Sequence, residues 1–391
     1  MSSSPFVVKW GILATGNIAE KFTKDLLTNP AIRDTHDVRH ELVAAASSSS
    51  ASRAQDFINN CKGPLSAKAY GSYAELVADA NIDIIYIATP HSHHFQNAML
   101  ALEAGKNVLC EKSLTVNAKQ TKKLYEVAKE KKLFFMEAVW TRCFPLSVKI
   151  REMVSAGEIG DVIRVVSDLS FPEHAEGGKL NFPNENRMVN KELAGGALLD
   201  IGIYALTWVF QIMYTTQPKP REAPTVLAAI QKYAETGADE MTSMILQFPK
   251  HNAMGIALTG LRAGYKHGKN YGAAITITGT KGEIQVDGPA YCPTHYRVIM
   301  NSDPSKVEEV ECAIPKDEER EGWGQGMFWE ADEAARCLRD GKLESEWISW
   351  EESTVIMETM DEVRRQGGLV YPDLIESAEY DPKSPLNVGR A

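Results

Sequence analysis

The chain has 391 residues, 44% hydrophobic and 24% charged, with a formal net charge of −10. That length suits two domains better than one, and the composition is globular rather than collagenous or disordered. The acidic balance argues against nucleic acid and against an anionic membrane surface as partners, since both need clustered Lys and Arg.

Along the chain, the first thirteen residues carry no basic stretch followed by an apolar run, so no secretory signal is expected. No run is read as approaching the roughly 20 apolar residues that span a bilayer. Cys61, Cys110, Cys143, Cys292, Cys312 and Cys337 are scattered with no CxxC pair. That spacing argues against a zinc ribbon, a redox pair or a disulfide framework, and for reduced thiols in a cytoplasmic protein.

Residues 6–13 read as a buried strand, followed by a turn and a helix whose apolar face is Ile18, Phe22 and Leu26. Asn29-Pro30 stops that helix. Further strands are predicted at 42–46, 83–88, 107–110 and 133–136, with helices at 95–104 and 117–131. Strands alternating with helices give a parallel, doubly wound sheet of the Rossmann type. After about residue 150, strand-like segments follow one another at 162–169, 225–233, 242–248, 253–259, 274–278, 283–286 and 296–300, separated by turn signals. Helices are predicted at 195–212, 330–339 and 353–366. The fold class is therefore α/β. Residues 1–145 form a dinucleotide-binding domain; residues 146–391 form an α+β domain with an open, mostly antiparallel sheet, its C-terminal tail able to pack back on the first.

In a GxGxxG turn the glycines let backbone approach a pyrophosphate at a helix N-terminus. Here Ala14, Thr15, Gly16, Asn17 and Ile18 occupy that turn, with Ala14 and Ala19 at two of the glycine positions. Alone the motif is weak, with a tight βα turn of any doubly wound protein as the alternative. An Asp or Glu at the end of the second strand would bind a ribose 2′-hydroxyl and repel a 2′-phosphate. The chain instead has Ser47, Ser48, Ser49 and Ser50, then Arg53. Hydroxyls and one guanidinium suit a phosphate, which favours NADP over NAD; a plain polar loop is the alternative.

Two later loops lie where ligands bind in such sheets. The first, Thr89-Pro90-His91-Ser92-His93-His94, invites a metal, but no cysteine or spaced carboxylate completes a site. Hydrogen bonding to cofactor and substrate is expected there, and no metal. The second is Glu111-Lys112, ordinarily a solvated pair but here at the end of a buried strand. Farther on, Asp200 and Tyr204 stand four apart on a predicted helix and so share one face.

Taken together, the segments 11–19, 88–90 with His94, 104–112 and 195–204 resemble the Gfo/Idh/MocA oxidoreductase family, and the likeness covers nearly the whole chain. Residues 137–145 resemble the dimeric dihydrodiol dehydrogenase branch. Residues 90–95, 326–332 and 380–387 are similar to the fungal NADP-dependent D-xylose dehydrogenases. The resemblance implies that Lys112 is the catalytic lysine, Tyr204 the proton-transfer residue and Asp200 its acidic companion. It implies that His94, Trp140, Arg142, Phe144 and Tyr204 contact substrate, and that a homodimer forms through the second domain's sheet. Oxidation of β-D-xylopyranose at C1 to a lactone is the implied reaction. Oxidation of a trans-dihydrodiol is the alternative; a non-enzymatic NADP-binding regulator stands as one of another class. Two departures matter. Ala14 stands in place of a glycine, and Ser113 in place of the family's proline after Lys112. A cis peptide before a non-proline residue costs about 3–4 kcal/mol, so trans geometry is expected at Lys112-Ser113 unless packing holds the other form.

Overall fold

A computed structural model of the chain describes residues 4–174, 176–262 and 272–388. In chain order the first elements are β1 (Phe6–Leu13), α1 (Asn17–Leu26), β2 (Val38–Ala46), α2 (Ala51–Asn60), β3 (Lys68–Tyr70) and α3 (Tyr73–Ala78). Next come β4 (Ile84–Ile87), α4 (His91–Glu103), β5 (Asn107–Glu111), α5 (Ala118–Lys131), β6 (Phe135–Ala138), α6 (Pro145–Ser155) and β7 (Val162–Ser170). A π-helical turn at Leu198–Gly202 leads into α7 (Ile203–Met213). The strands β8 (Thr225–Lys232), β9 (Asp239–Phe248), β10 (Ala253–Gly260), β11 (Ala273–Gly279), β12 (Gly282–Asp287), β13 (His295–Met300) and β14 (Val307–Glu311) follow, then α8 (Phe328–Arg339) and α9 (Trp350–Gly367). They pack as two units. The first holds the residues up to Trp140, Ile314–Ser353 and those from Asp373 onward; the second holds Thr141–Ala313 and Thr354–Pro372.

In the first unit the described residues form a six-stranded sheet, order β3-β2-β1-β4-β5-β6, with every pairing parallel. Parallel strands are buried on both faces, and all four residues of β4 are buried accordingly. The order reverses between β1 and β4, so the loops after these strands flank the crevice where such sheets bind ligands. β3 escapes a sequence reading because three residues carry no usable alternation. α4 starts at His91 and not at Phe95, with Pro90 as its N-cap.

On one face of this sheet the Phe22 ring stacks on Tyr86 with centroids 3.7 Å apart. α8 packs beside α1 against β1 and β2, although it lies far along the chain. Asp25 of α1 anchors the entry to α8 by accepting the main-chain N–H groups of Gln325 (2.8 Å) and Met327 (2.6 Å). Burial pushes Asp25 up to about 6, against the pull of those bonds. The start of the segment 326–332 is thus held by α1.

The described residues of the second unit form an eight-stranded sheet, order β14-β13-β12-β11-β7-β10-β9-β8. Its pairings are antiparallel except that of β7 with β10. α7 lies on one face at close range. A Cβ built at Gly255 would fall 2.3 Å from Val209 Cγ1, so glycine is what admits the helix there. The stretch Lys191–Met213 passes for a membrane span by length and mean hydropathy, but it carries Lys191, Glu192 and Asp200 and is almost wholly buried as core. The edge strand β8 is closed by Gln366, whose side chain accepts from Ala228 N–H and donates to the Val226 carbonyl, each at 2.8 Å. The other face of the sheet carries a cross-strand row of Leu227, Ile245, Ile256 and Val166, of which Leu227 and Ile245 are exposed.

Candidate active site

The β1–α1 turn leaves the start of α1 open. Gly16 is the N-cap of α1 with extended backbone, and no side chain caps the helix. The first N–H groups of α1 therefore remain for a ligand anion. No atom lies within 4 Å of a Cβ built at Gly16, so the protein itself does not demand glycine there and a closely approaching ligand would. Ala14 holds φ +84°, a left-handed conformation that glycine prefers, and its N–H donates to Ala46 O at 3.1 Å. That bond fixes the turn against the end of β2.

The serine loop begins one residue after β2. The Ser47 and Ser49 hydroxyls are 3.0 Å apart, and Ser50 caps α2 by accepting the Arg53 N–H at 3.2 Å. Arg53 is exposed in the first turn of α2. No acidic residue occupies positions 47–53. The donor set fits a phosphate on the ribose better than a free 2′-hydroxyl.

After β4, the ring nitrogens of His94 sit 2.8 Å from Thr89 O and 3.0 Å from Ser113 O. Burial drives His94 down to about 4 even though both carbonyls favour the cation. A neutral ring donates from one nitrogen only. His94 is turned inward between the loops after β4 and β5, and in its neutral form it donates to only one of these two carbonyls. His93 takes its Nδ1 contact from Ser92 Oγ at 2.8 Å. Among the described residues no three His, Cys, Asp or Glu side chains gather as a metal site.

After β5, Glu111 is buried; its Oε1 accepts from the Tyr86 hydroxyl and its Oε2 from the Lys112 N–H at 3.2 Å. The backbone of Lys112 is thus pinned at the strand end while its side chain stays partly accessible. The Lys112-Ser113 peptide is cis, contrary to the trans geometry expected. Its surroundings are closely tied: Ser113 O faces His94, and Leu114 N–H donates to Glu137 Oε1 at 2.9 Å.

In the second unit, Asp200 lies in the π-helical turn and Tyr204 in the first turn of α7, both largely buried. Arg187 NH1 donates to Asp200 Oδ1 at 3.2 Å. The Tyr204 ring lies 5.8 Å from that of Tyr291, and Tyr291 is 6.5 Å from Phe171. The segment after β6 is anchored to the same helix. Arg142 NH1 donates to Gln211 Oε1 at 3.1 Å, and Gln211 stands seven residues beyond Tyr204. The Thr141 hydroxyl donates to Tyr291 O. Arg142 and Phe144 are almost fully buried, as is Trp140 in the first unit, so Arg142 braces the loop. Sequence reasoning missed Arg187, Gln211 and Tyr291. Only Gln211 had a signal, its helical spacing from Tyr204.

Comparison with known proteins gives two family matches. Residues 8–139 match the oxidoreductase family with an NAD-binding Rossmann fold, and residues 147–285 match the GFO/IDH/MocA C-terminal domain. The chain is 60% identical over 390 residues to a D-xylose 1-dehydrogenase (NADP(+)) of Hypocrea jecorina, covering 99% of each chain. It is 35% identical over 370 residues to the human trans-1,2-dihydrobenzene-1,2-diol dehydrogenase, covering 93% of this chain and 98% of the relative. The fold resembles that of a levoglucosan dehydrogenase in complex with NADH and levoglucosan, at TM-score 0.76 and 19% identity over 93% of this chain and 97% of that one. It also resembles a 3-ketoreductase of Actinomadura kijaniata in complex with NADP, at TM-score 0.69 and 18% identity over 93% and 98%.

Proposed function

The chain belongs to the Gfo/Idh/MocA oxidoreductase family, and on that premise we propose that it oxidises D-xylose at C1 with NADP. The observation that carries the reading is the 60% identity, over essentially the whole of both chains, to the NADP-dependent xylose dehydrogenase. The open Gly16 face and the acid-free serine loop with Arg53 support the cofactor choice from the chain's own residues.

NADP, when bound, supplies the hydride acceptor. Gly16, Asn17 and Ile18 at the start of α1 would hold its pyrophosphate, and Ser47, Ser48, Ser49 and Arg53 its 2′-phosphate. Thr89, Pro90, His91, His94 and Glu111 shape the loops beside it.

In this reading Tyr204 takes the proton from the anomeric hydroxyl as the C1–H bond breaks. The electrons of the O–H bond form C1=O, so the pyranose leaves as its lactone. A phenol ordinarily releases its proton near pH 10, so it needs help at about neutral pH. An adjacent positive charge favours the phenolate, and Lys112 is assigned that part together with hydrogen bonding to the developing alkoxide. Asp200, held by Arg187, positions its partners rather than taking the proton. Trp140, Arg142 and Phe144 line or brace the sugar pocket.

The exposed apolar row on the second unit's sheet is read as the seat of a second copy of the chain, giving a homodimer. A cytoplasmic location accords with six cysteines that are all free.

The test is an assay of purified protein with NADP and a panel of aldoses and trans-dihydrodiols. Reduced nicotinamide appearing with xylose supports the proposal. Turnover with dihydrodiols alone replaces it by the second activity, and none with any substrate replaces it by a binding role.

A further inference from the structure

The helix that bears Asp200 and Tyr204 begins without a cap of its own. Ala197, the residue before the π-helical turn, makes no side-chain capping bond. The missing acceptor comes from β9. Asp239 Oδ2 accepts the Leu198 N–H at 2.6 Å and the Thr242 hydroxyl at 3.2 Å. Asp239 is fully buried, and a carboxylate in contact with a helix N-terminus is favourable on charge as well as on hydrogen bonding.

The approach to this cap is cut to fit the carboxylate. Gly196 has φ +135°, and a Cβ built on it would fall 1.9 Å from Asp239 Oδ1. A Cβ at Gly195 would fall 2.5 Å from Arg187 O, and Arg187 is the residue whose guanidinium holds Asp200. The pair of glycines therefore lets one strand carboxylate seat the helix start and lets Arg187 lie against it. The π turn then places Asp200 two residues past the capped N–H and Tyr204 six past it. A π turn inserts a residue into helical register, and such turns recur at functional sites. Its register here is set by where the first N–H is held.

We infer that Asp239 is a positioning residue for the reaction, fixing the register of the turn that presents Asp200 and Tyr204. The inference rests on the roles proposed above for those two side chains. Asp239 acts through Leu198 N–H and not on substrate or cofactor directly.

The test is steady-state kinetics with xylose and NADP on the full chain. Asp239→Ala is expected to lower kcat at least about 10-fold while NADP affinity stays unchanged, because the interaction lost is one that matters in the transition state. Asp239→Asn retains an oxygen for Leu198 N–H and is expected to keep kcat within about threefold. In a Tyr204→Phe background, the Asp239→Ala change should produce no further loss of the residual turnover, since both act through one group. A purely structural role would multiply the two losses. Full kcat in folded Asp239→Ala, or multiplicative losses, overturns the inference. If Asp239→Ala does not fold, Asp239→Val, nearer in size, also removes the acceptor of the Leu198 N–H. A kcat loss that vanishes in the Tyr204→Phe background then supports the inference, and unchanged kcat overturns it. The site reading fails separately: Tyr204→Phe turning over like the parent removes it whatever Asp239 does, whereas an impaired Tyr204→Phe beside a fully active Asp239→Ala removes only this inference.

Discussion

Arg33 and Asp332 form a two-pronged ion pair, Nε and NH2 donating to the two carboxylate oxygens at 2.8 and 2.9 Å across 299 residues of sequence. Both side chains are essentially inaccessible to solvent. His40 adds a third bond at 2.9 Å to Asp332, with its other ring nitrogen receiving Trp10 Nε1–H at 3.1 Å. The tryptophan thereby fixes the histidine as the Nε2–H tautomer. Burial alone would raise Asp332, but Arg33 and His40 overcome it and hold it at about 2.

Removing that carboxylate leaves a buried guanidinium without its anion. Asp332→Asn is therefore expected to cost about 3–5 kcal/mol of unfolding free energy, read by urea denaturation near neutral pH. The folded pKa lies below the unfolded one, so this contribution is present above about pH 4 and fades as pH falls towards 2. A loss under about 1 kcal/mol would mean that the pair contributes no more than a surface bridge.

Glu137 has the opposite sign. It is fully buried between Leu114 N–H and the Ser353 hydroxyl, the latter at 2.6 Å, and burial pushes it up to about 7. A raised carboxyl makes the folded state bind more protons, so stability is full below about pH 4.5 and declines as pH rises to 7. Glu137→Gln should remove that decline. Its unfolding free energy relative to the parent should improve by about 3 kcal/mol between pH 4 and pH 8. Parallel pH profiles for the two proteins would show that Glu137 does not titrate in that range.

Arg53 gives a direct check on the cofactor. One charge-assisted contact is worth roughly 1.5–3 kcal/mol. Arg53→Ala should accordingly weaken NADP binding by about 10- to 100-fold and leave NAD binding within about twofold. Titration of both dinucleotides by fluorescence or calorimetry decides; equal weakening of both would locate Arg53 away from the 2′-phosphate.

On the open sheet face, Ile245 pairs across the strands with Leu227 on one side and Ile256 on the other. Ile245→Glu places a charge at the centre of that row, where a second copy would have to desolvate it. Sedimentation should show a dimer for the parent and a monomer for the variant, with thermal unfolding of the isolated fold little changed. A parent that sediments as a monomer, or a variant that remains dimeric, rules out this face as the interface.

The sequence by itself determined the local order of the fold and most of its chemistry-bearing loops. The alternation of buried β-branched runs with helical periods gave the parallel sheet, because period and burial are local properties. The same reading marked Gly16, the serine loop, Glu111-Lys112 and the Asp200–Tyr204 stretch, each next to an element end that its own residues define. It failed where an element was too short to show a period, as with β3; it left α2 and α6 unread; and it missed the start of α4, where helix begins at three histidines with little apolar spacing to announce it.

Only the tertiary structure decided which distant residues complete each unit and where polar side chains are spent. Residues 314–353 return to the first unit because Asp25, Arg33 and His40 find their partners there. His94 proved to be buried between the carbonyls of two loops, and Asp239 a cap for a helix start 41 residues away. The physical reason is the same in each case. A hydrogen bond or buried ion pair depends on distances of about 3 Å in space, and sequence separation carries almost no information about these.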